Sequence, residues 1–151
     1  MFNISCGDDD AGPNYEFKDQ ILQGKIEGKT YQFKDGYFEE SFFEEDKFSI
    51  QMYDVNEPDD ACDVFSSDFV QVFFSIPKEV GLYKLKFNLS TFTGQTATLY
   101  DPDESLNVIA TEGAIEILTI SETEITGRMD ARADNRNFVN GDFSVISCQI
   151  E

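Results

Sequence analysis

The stretch from Thr111 to Cys148, TEGAIEILTISETEITGRMDARADNRNFVNGDFSVISC, constrains this chain more than any other part of it. Apolar and polar residues alternate in short runs separated by turn-forming residues. A period of two places successive side chains on opposite faces of an extended strand, whereas a helix needs apolar residues three and four apart. Ala114 to Ile120 therefore reads as one strand. Ser121-Glu122-Thr123 turns it into a second, Glu124 to Ala133. There Ile125, Gly127, Met129 and Ala131 share one face, and Thr126, Arg128, Asp130 and Arg132 the other. Asp134-Asn135-Arg136-Asn137 is a loop, and Phe138 to Gln149 reads as a third strand. Its inward set shifts from Phe143 and Val145 to Ile146 and Cys148, so a bulge or a strand covered on both faces is expected. Asn140-Gly141 is an alternative site for the hairpin turn.

The same grammar runs upstream. Leu22, Gly24 and Ile26 alternate with Gln23, Lys25 and Glu27; Gly28 allows a tight turn, and Tyr31 and Phe33 continue the next strand. Asp35-Gly36 is a hairpin signal. Tyr37 to Phe43 and Lys47 to Tyr53 follow as strands. Phe69 to Ile76 is apolar on both faces, which places it centrally, and Pro77 ends it. Leu82 to Leu89 alternates with Tyr83, Leu85, Phe87 and Leu89 inward. Thr96 to Tyr100 and Leu106 to Thr111 pair through Asp101-Pro102-Asp103. Turn signals roughly every ten residues imply an all-β fold, a single-domain antiparallel β-sandwich of about ten strands. The alternative is a closed up-and-down β-barrel, lipocalin-like, which has no sheet edges and can hold an apolar ligand. No apolar run approaches the ~20 residues that span a bilayer as a helix.

Composition narrows the function. With 151 residues a single domain is expected, and 15 Phe and 6 Tyr supply a core suited to strands. Thirty acidic against 11 basic residues give a net charge of -19. That surface repels nucleic acid and anionic lipid headgroups, and suits solubility, cations or cationic partners. The absence of histidine removes the commonest general base and metal ligand, so Ser-His-Asp and Cys-His catalysis cannot be assembled. No catalytic residues are assigned.

Near the N-terminus, Ser5, Cys6 and Gly7 are followed by Asp8, Asp9 and Asp10. This resembles the surface-exported lipoproteins of the Bacteroidota, in which an acidic run follows the lipidated cysteine. The resemblance implies lipidation at Cys6 and membrane attachment only through that lipid. It places the chain in the cell envelope, as a surface-exposed outer-membrane lipoprotein. Residues 1–17 are then signal remnant and acidic tether, with Ala11 to Phe17 flexible, and 18–151 form the all-β domain. The other reading of Cys6 is a free thiol in an acidic tail. Gly24 to Phe33 and Gly113 to Val145 also resemble the opening hairpin and closing unit of small Bacteroidota lipoprotein domains. Those domains carry no assigned activity, so no functional residue is transferred.

Four constellations remain. Cys62 and Cys148, left once Cys6 is given to lipid, pair as a disulfide in an oxidising compartment, or else are two buried thiols. The bridge would close a loop of about 87 residues, worth roughly 4–5 kcal/mol in the chain-entropy model. The acidic break Asp54 to Asp68 offers Asp54, Asp59, Asp60 and Asp63 as calcium ligands, although it fails the EF-hand template. No other cofactor is called for. Arg128, Arg132 and Arg136 are the chain's three arginines. Arg128 and Arg132, four apart on a strand, could fork around a carboxylate, a phosphate or sugar hydroxyls. The competing reading is cross-strand pairing with Glu116, Glu122 or Glu124. Finally, carboxylate pairs for glycoside hydrolysis arise by chance in so acidic a chain.

The function expected is a non-catalytic binding or accessory domain of a monomeric cell-surface lipoprotein, its ligand a glycan or a protein partner. The alternatives are a lipocalin-like carrier of a small apolar molecule and, weaker, a carboxylate-based hydrolase.

Overall fold

The alternating runs become strands. A computed structural model describes residues 14–55, 69–88, 90–91, 94–104 and 106–148. Among these, eleven strands form: β1 (Gln23–Ile26), β2 (Lys29–Gln32), β3 (Asp35–Glu40), β4 (Lys47–Tyr53), β5 (Gln71–Pro77), β6 (Gly81–Lys84), β7 (Ala97–Asp101), β8 (Leu106–Ala110), β9 (Glu112–Ile120), β10 (Glu124–Asp134) and β11 (Asn137–Ser147). No described helix is long and apolar enough to cross a membrane.

The strands make one strongly curled sheet in the order β6-β9-β10-β11-β3-β4-β5-β7-β8, and the β1–β2 hairpin joins it at β11. The sheet is mixed, not wholly antiparallel. β3 runs parallel to β11, pairing Tyr37 with Ile146 and Phe38 with Ser147. β1 pairs antiparallel with the other half of β11, at Phe138–Asn140. The last strand thus carries β10 on one edge and shares the other between β1 and β3. Near the two ends of the order, Leu85 forms an isolated bridge with Gln95, and the Lys86 N–H donates to the Gln95 carbonyl at 2.9 Å.

The concave face holds the core. Ile50, Met52, Val72, Leu99, Ile115, Met129 and Val145 are all fully buried. The curl brings Phe74 of β5 edge-on to Phe143 of β11, with ring centroids 6.2 Å apart. Tyr31 is buried among them and donates its hydroxyl to the Met52 carbonyl at 2.9 Å. Burial pushes its phenol well above the usual range, with Asp54 adding to the shift.

Turn chemistry explains the β1–β2 connection. Glu27 and Gly28 both have positive φ, 52° and 80°, as a two-residue hairpin loop requires. Glu27 has a side chain and is strained there. The β10–β11 turn holds it: Asn137 Oδ1 accepts from the Glu27 N–H at 2.8 Å, and the Arg136 carbonyl accepts from the Gly28 N–H at 2.9 Å. Beside the β7–β8 turn, Asp101 is buried, with the Asp103 N–H on one oxygen and the Lys29 ammonium 3.1 Å from the other. Hydrogen bonding to Asp101 and then Asp103 raises the Lys29 pKa.

Several local expectations change. Asp35-Gly36 is not a turn but the start of β3, and Asn140-Gly141 lies inside β11. β11 keeps one strict alternation: Val139, Phe143, Val145 and Ser147 are buried, while Ile146 is half exposed. Register irregularities fall elsewhere: between Arg132 and Asp134 where β10 meets β11, and between Thr126 and Gly127 where β10 meets β9. β5 alternates as well, with Phe73 and Ser75 outside its buried set. β6 ends at Lys84, although Leu85 and Phe87 keep the expected inward phase.

Candidate functional site

The arginines come first. Strand alternation sets Thr126, Arg128, Asp130 and Arg132 on the convex face of β10, as expected. The register places Arg128 opposite Glu116 and Arg132 opposite Glu112. Arg128 Nε donates to Glu116 at 2.7 Å, and its guanidinium lies 4.6 Å from the centre of the Phe17 ring. Arg132 pairs with Asp130 at 3.0 Å and with Glu112 at 3.5 Å, and also donates to the Asn14 carbonyl. Arg136 belongs to a different feature. It donates to the Glu27 carbonyl at 2.9 Å and supports the strained hairpin. The cross-strand reading thus accounts for Arg128 through Glu116, while Glu122 and Glu124 take no part.

What occupies the arginine face is the chain's own N-terminal segment. Asn14 to Lys18 lies across β10 and β11. Asp130 accepts from the Glu16 N–H at 2.9 Å. Asn140 donates to the Glu16 carbonyl at 2.7 Å and accepts from the Lys18 N–H at 2.8 Å. This docking buries Asp130, a charged residue on the outer face of a strand. Asn14 to Phe17, expected to belong to a flexible tether, is held on the body of the domain. The groove beside it, about 460 Å³, is lined by residues of this segment together with Asp130, Arg132 and Asn140.

A larger concavity opens at one end of the curl. It measures about 670 Å³, within the range of ligand sites. Among the described residues it lies past Ser147, the end of β11, on the side where β3 continues through Glu39 and Glu40. Phe38, Phe48 and Ile120 form an apolar floor, with Phe38 and Phe48 edge to face at 5.1 Å. Glu39, Glu40, Ser121, Glu122, Thr123 and Ser147 line the rest. Burial raises the Glu39 carboxyl above the ordinary glutamate range. On the flank, the Lys78 ammonium pairs with Glu40 and sits 5.2 Å from the centre of the Phe48 ring. The neighbouring β3–β4 loop exposes Phe42 and Phe43, 78% and 79% accessible. The sequence reading missed this site. Its signals were the Glu39-Glu40 pair closing β3 and the Ser121-Glu122-Thr123 turn, which face each other only through the fold.

The remaining expectations meet the structure in part. Asp54 is partly buried, and burial raises its carboxyl while Lys34 lowers it. Asp59, Asp60 and Asp63 lie outside the described residues, as do Cys6 and Cys62. Among the described residues no group of three or more His, Cys, Asp or Glu is arranged to hold a metal ion. Cys148 follows β11, its N–H donating to the Phe38 carbonyl at 2.9 Å beside the concavity. No family model, no curated protein and no solved structure matches the chain.

Proposed function

We propose that this chain is a non-catalytic binding domain of a cell-surface lipoprotein in the outer membrane, acting as a monomer and held there by lipid on Cys6. The observation that carries the binding role is the concavity beyond β11. An apolar floor with a polar rim holds a ligand by burial and orients it by a few polar contacts. The envelope assignment rests on the Cys6-Gly7-Asp8-Asp9-Asp10 pattern. A disulfide between Cys62 and Cys148 belongs to the same reading.

The test is a thermal-shift screen of the full chain against glycans, peptides and small organic molecules, repeated with Thr123→Trp to fill the concavity. A ligand that raises the melting temperature of the wild type and not of the variant supports the reading. Ligands indifferent to the filled concavity, or turnover of any screened compound, overturn it. Metabolic labelling with a fatty-acid analogue, lost on Cys6→Ser, tests the anchor.

A second reading, a barrel-like carrier of an apolar molecule, draws support from the curl of the sheet and the Leu85–Gln95 bridge near its two ends. Against it stands the interior, occupied by a continuous cluster from Leu22 to Val145.

A further inference from the structure

Asn14 to Lys18, the strap across β10 and β11, is bound to the sheet mainly through its main chain. The Glu16 N–H donates to Asp130 at 2.9 Å, the Glu16 carbonyl accepts from Asn140 at 2.7 Å, and the Lys18 N–H donates to Asn140 at 2.8 Å. The Asn14 carbonyl accepts from Arg132. The main-chain groups of alternate residues thus turn to the sheet, as in an extended strand. One side chain is read as well: the Phe17 ring centre lies 4.6 Å from the Arg128 guanidinium and 5.2 Å from the centre of the Tyr15 ring. None of the five residues is buried, and Asn14, Glu16 and Lys18 are exposed. The core begins only at Leu22, which is fully buried and keeps its own main-chain bond to Asp142 at 2.9 Å. A segment with so little buried apolar surface can open while the body of the domain stays folded.

We propose that the outer face of β10 and β11 is a docking site for an extended, cationic peptide segment of a partner protein, and that the strap keeps it closed. The strap shows what fits. Asp130, Asn140 and Arg132 read main-chain groups, which any extended backbone supplies, and Arg128 reads an aromatic ring one residue after the central one. Charge selects the partner. The strap and the residue after it carry Glu16 and Asp19 beside Lys18, on a chain of net charge -19, so a cationic segment gains where this one does not. The strap of a second copy has no such advantage, because it competes with an identical tethered strap whose effective concentration is about millimolar. A groove of about 460 Å³ beside the strap, lined by Asp130, Arg132 and Asn140, gives an incoming segment room for contacts that the strap does not make. This face shares no lining residue with the concavity beyond β11 and does not depend on it.

The experiment is an amide-resolved NMR titration of the full chain, as wild type and as the double variant Tyr15→Ala, Phe17→Ala, which loosens the strap. The probe is an acetylated, amidated Asn-Tyr-Lys-Phe-Lys-Asn peptide, the strap sequence with its acidic residues replaced. Saturable shifts are expected at Arg128, Asp130 and Asn140, with affinity for the double variant at least about tenfold above that for the wild type. In the wild type, peptide at about millimolar concentration should move the Glu16 and Lys18 amides to undocked positions, a readout that stands even if the double variant does not fold. The peptide with alanine in place of phenylalanine should bind about tenfold more weakly. The peptide methylated on the nitrogen of its first lysine, which removes the N–H that Asp130 accepts, should not bind. Failure to displace the strap of the wild type, equal binding of the methylated peptide, or shifts away from β10 and β11 overturn the proposal. Equally tight binding of a peptide with the strap's own sequence overturns the assignment to a cationic partner.

Discussion

Asp130 and Asn140 stand directly opposite each other across the β10–β11 pair, and both turn onto the main chain of Glu16, one taking its N–H and the other its carbonyl. The two side chains do for this segment what a neighbouring strand would do, and they act from the face of the sheet instead of its edge. Asp130→Ala leaves the Glu16 N–H without its charged acceptor, and such losses cost about 1–3 kcal/mol. Amide exchange at Glu16 and Lys18 should accelerate far more than exchange in β4 or β5. Unchanged protection at Glu16 would show that the segment is held by something else.

The Glu27–Gly28 turn predicts a stabilising change. Asn tolerates positive φ better than Glu, and Asn-Gly is the preferred pair for this hairpin. Glu27→Asn should raise stability by about 0.5–1 kcal/mol in a urea titration. The ion pair with Arg136 that it forfeits is long, at 3.9 Å. A fall in the midpoint would mean that the Glu27 side chain contributes more than its backbone costs.

Glu39 gives a pH signature. Burial raises its folded pKa, so the folded protein keeps that proton to higher pH than the unfolded chain does. The associated stability is fully present below the ordinary glutamate value and is lost as pH rises through the folded value. Glu39→Gln should therefore raise the melting temperature near neutral pH, with a gain that shrinks towards pH ~4. Asp134 runs the other way. Its carboxyl is held low by the Arg136 N–H and then by Asn137, so its contribution is present above the ordinary aspartate value and fades as pH falls through the folded one. A Glu39→Gln gain that is constant across this range would refute the assignment.

Gly141 tests the crossing of the N-terminal segment over β11. Its φ is 137°, and a Cβ there would stand 2.6 Å from the Gln20 carbonyl oxygen. Gly141→Ala should cost roughly 2–3 kcal/mol, since both the backbone conformation and the approach of main chain are lost. A shift within a few tenths would show that the segment can move aside.

Cys62 and Cys148 are tested chemically. Peptide mapping without reductant, on protein taken from an oxidising compartment, should recover the two cysteines in one linked species. Cys148→Ser should then cost about 2–4 kcal/mol. Two alkylatable thiols would end the idea.

Residue patterns carried the strands whose partners are close in sequence. Lys47–Tyr53 is read with its ends in place, and the β7–β8 and β9–β10 pairs form through their expected turns. Patterns failed where the deciding contact is distant. Nothing near Gly141 signals that Gln20 crosses it, so Asn140-Gly141 looks like a turn. Asp35-Gly36 has turn chemistry, but pairing with Met52 and Tyr53 makes it strand. The arginines were visible as a group, yet Glu16, more than a hundred residues away, decides what their face does. The concavity was invisible for the same reason, since the end of β3 and the β9–β10 turn line one space only across the end of β11.

β11 lies between partners from the two ends of the chain: β10 just before it, and β1 and β3 from the beginning. A ribosome has therefore made the other ten described strands before the one that joins them exists. Until that moment β1 and β3 have no common neighbour, and the Phe74–Phe143 contact cannot form. Pairing over such separations is slow to nucleate. The sheet is accordingly completed by the strand made last among those described, and its two halves depend on that one strand to find each other.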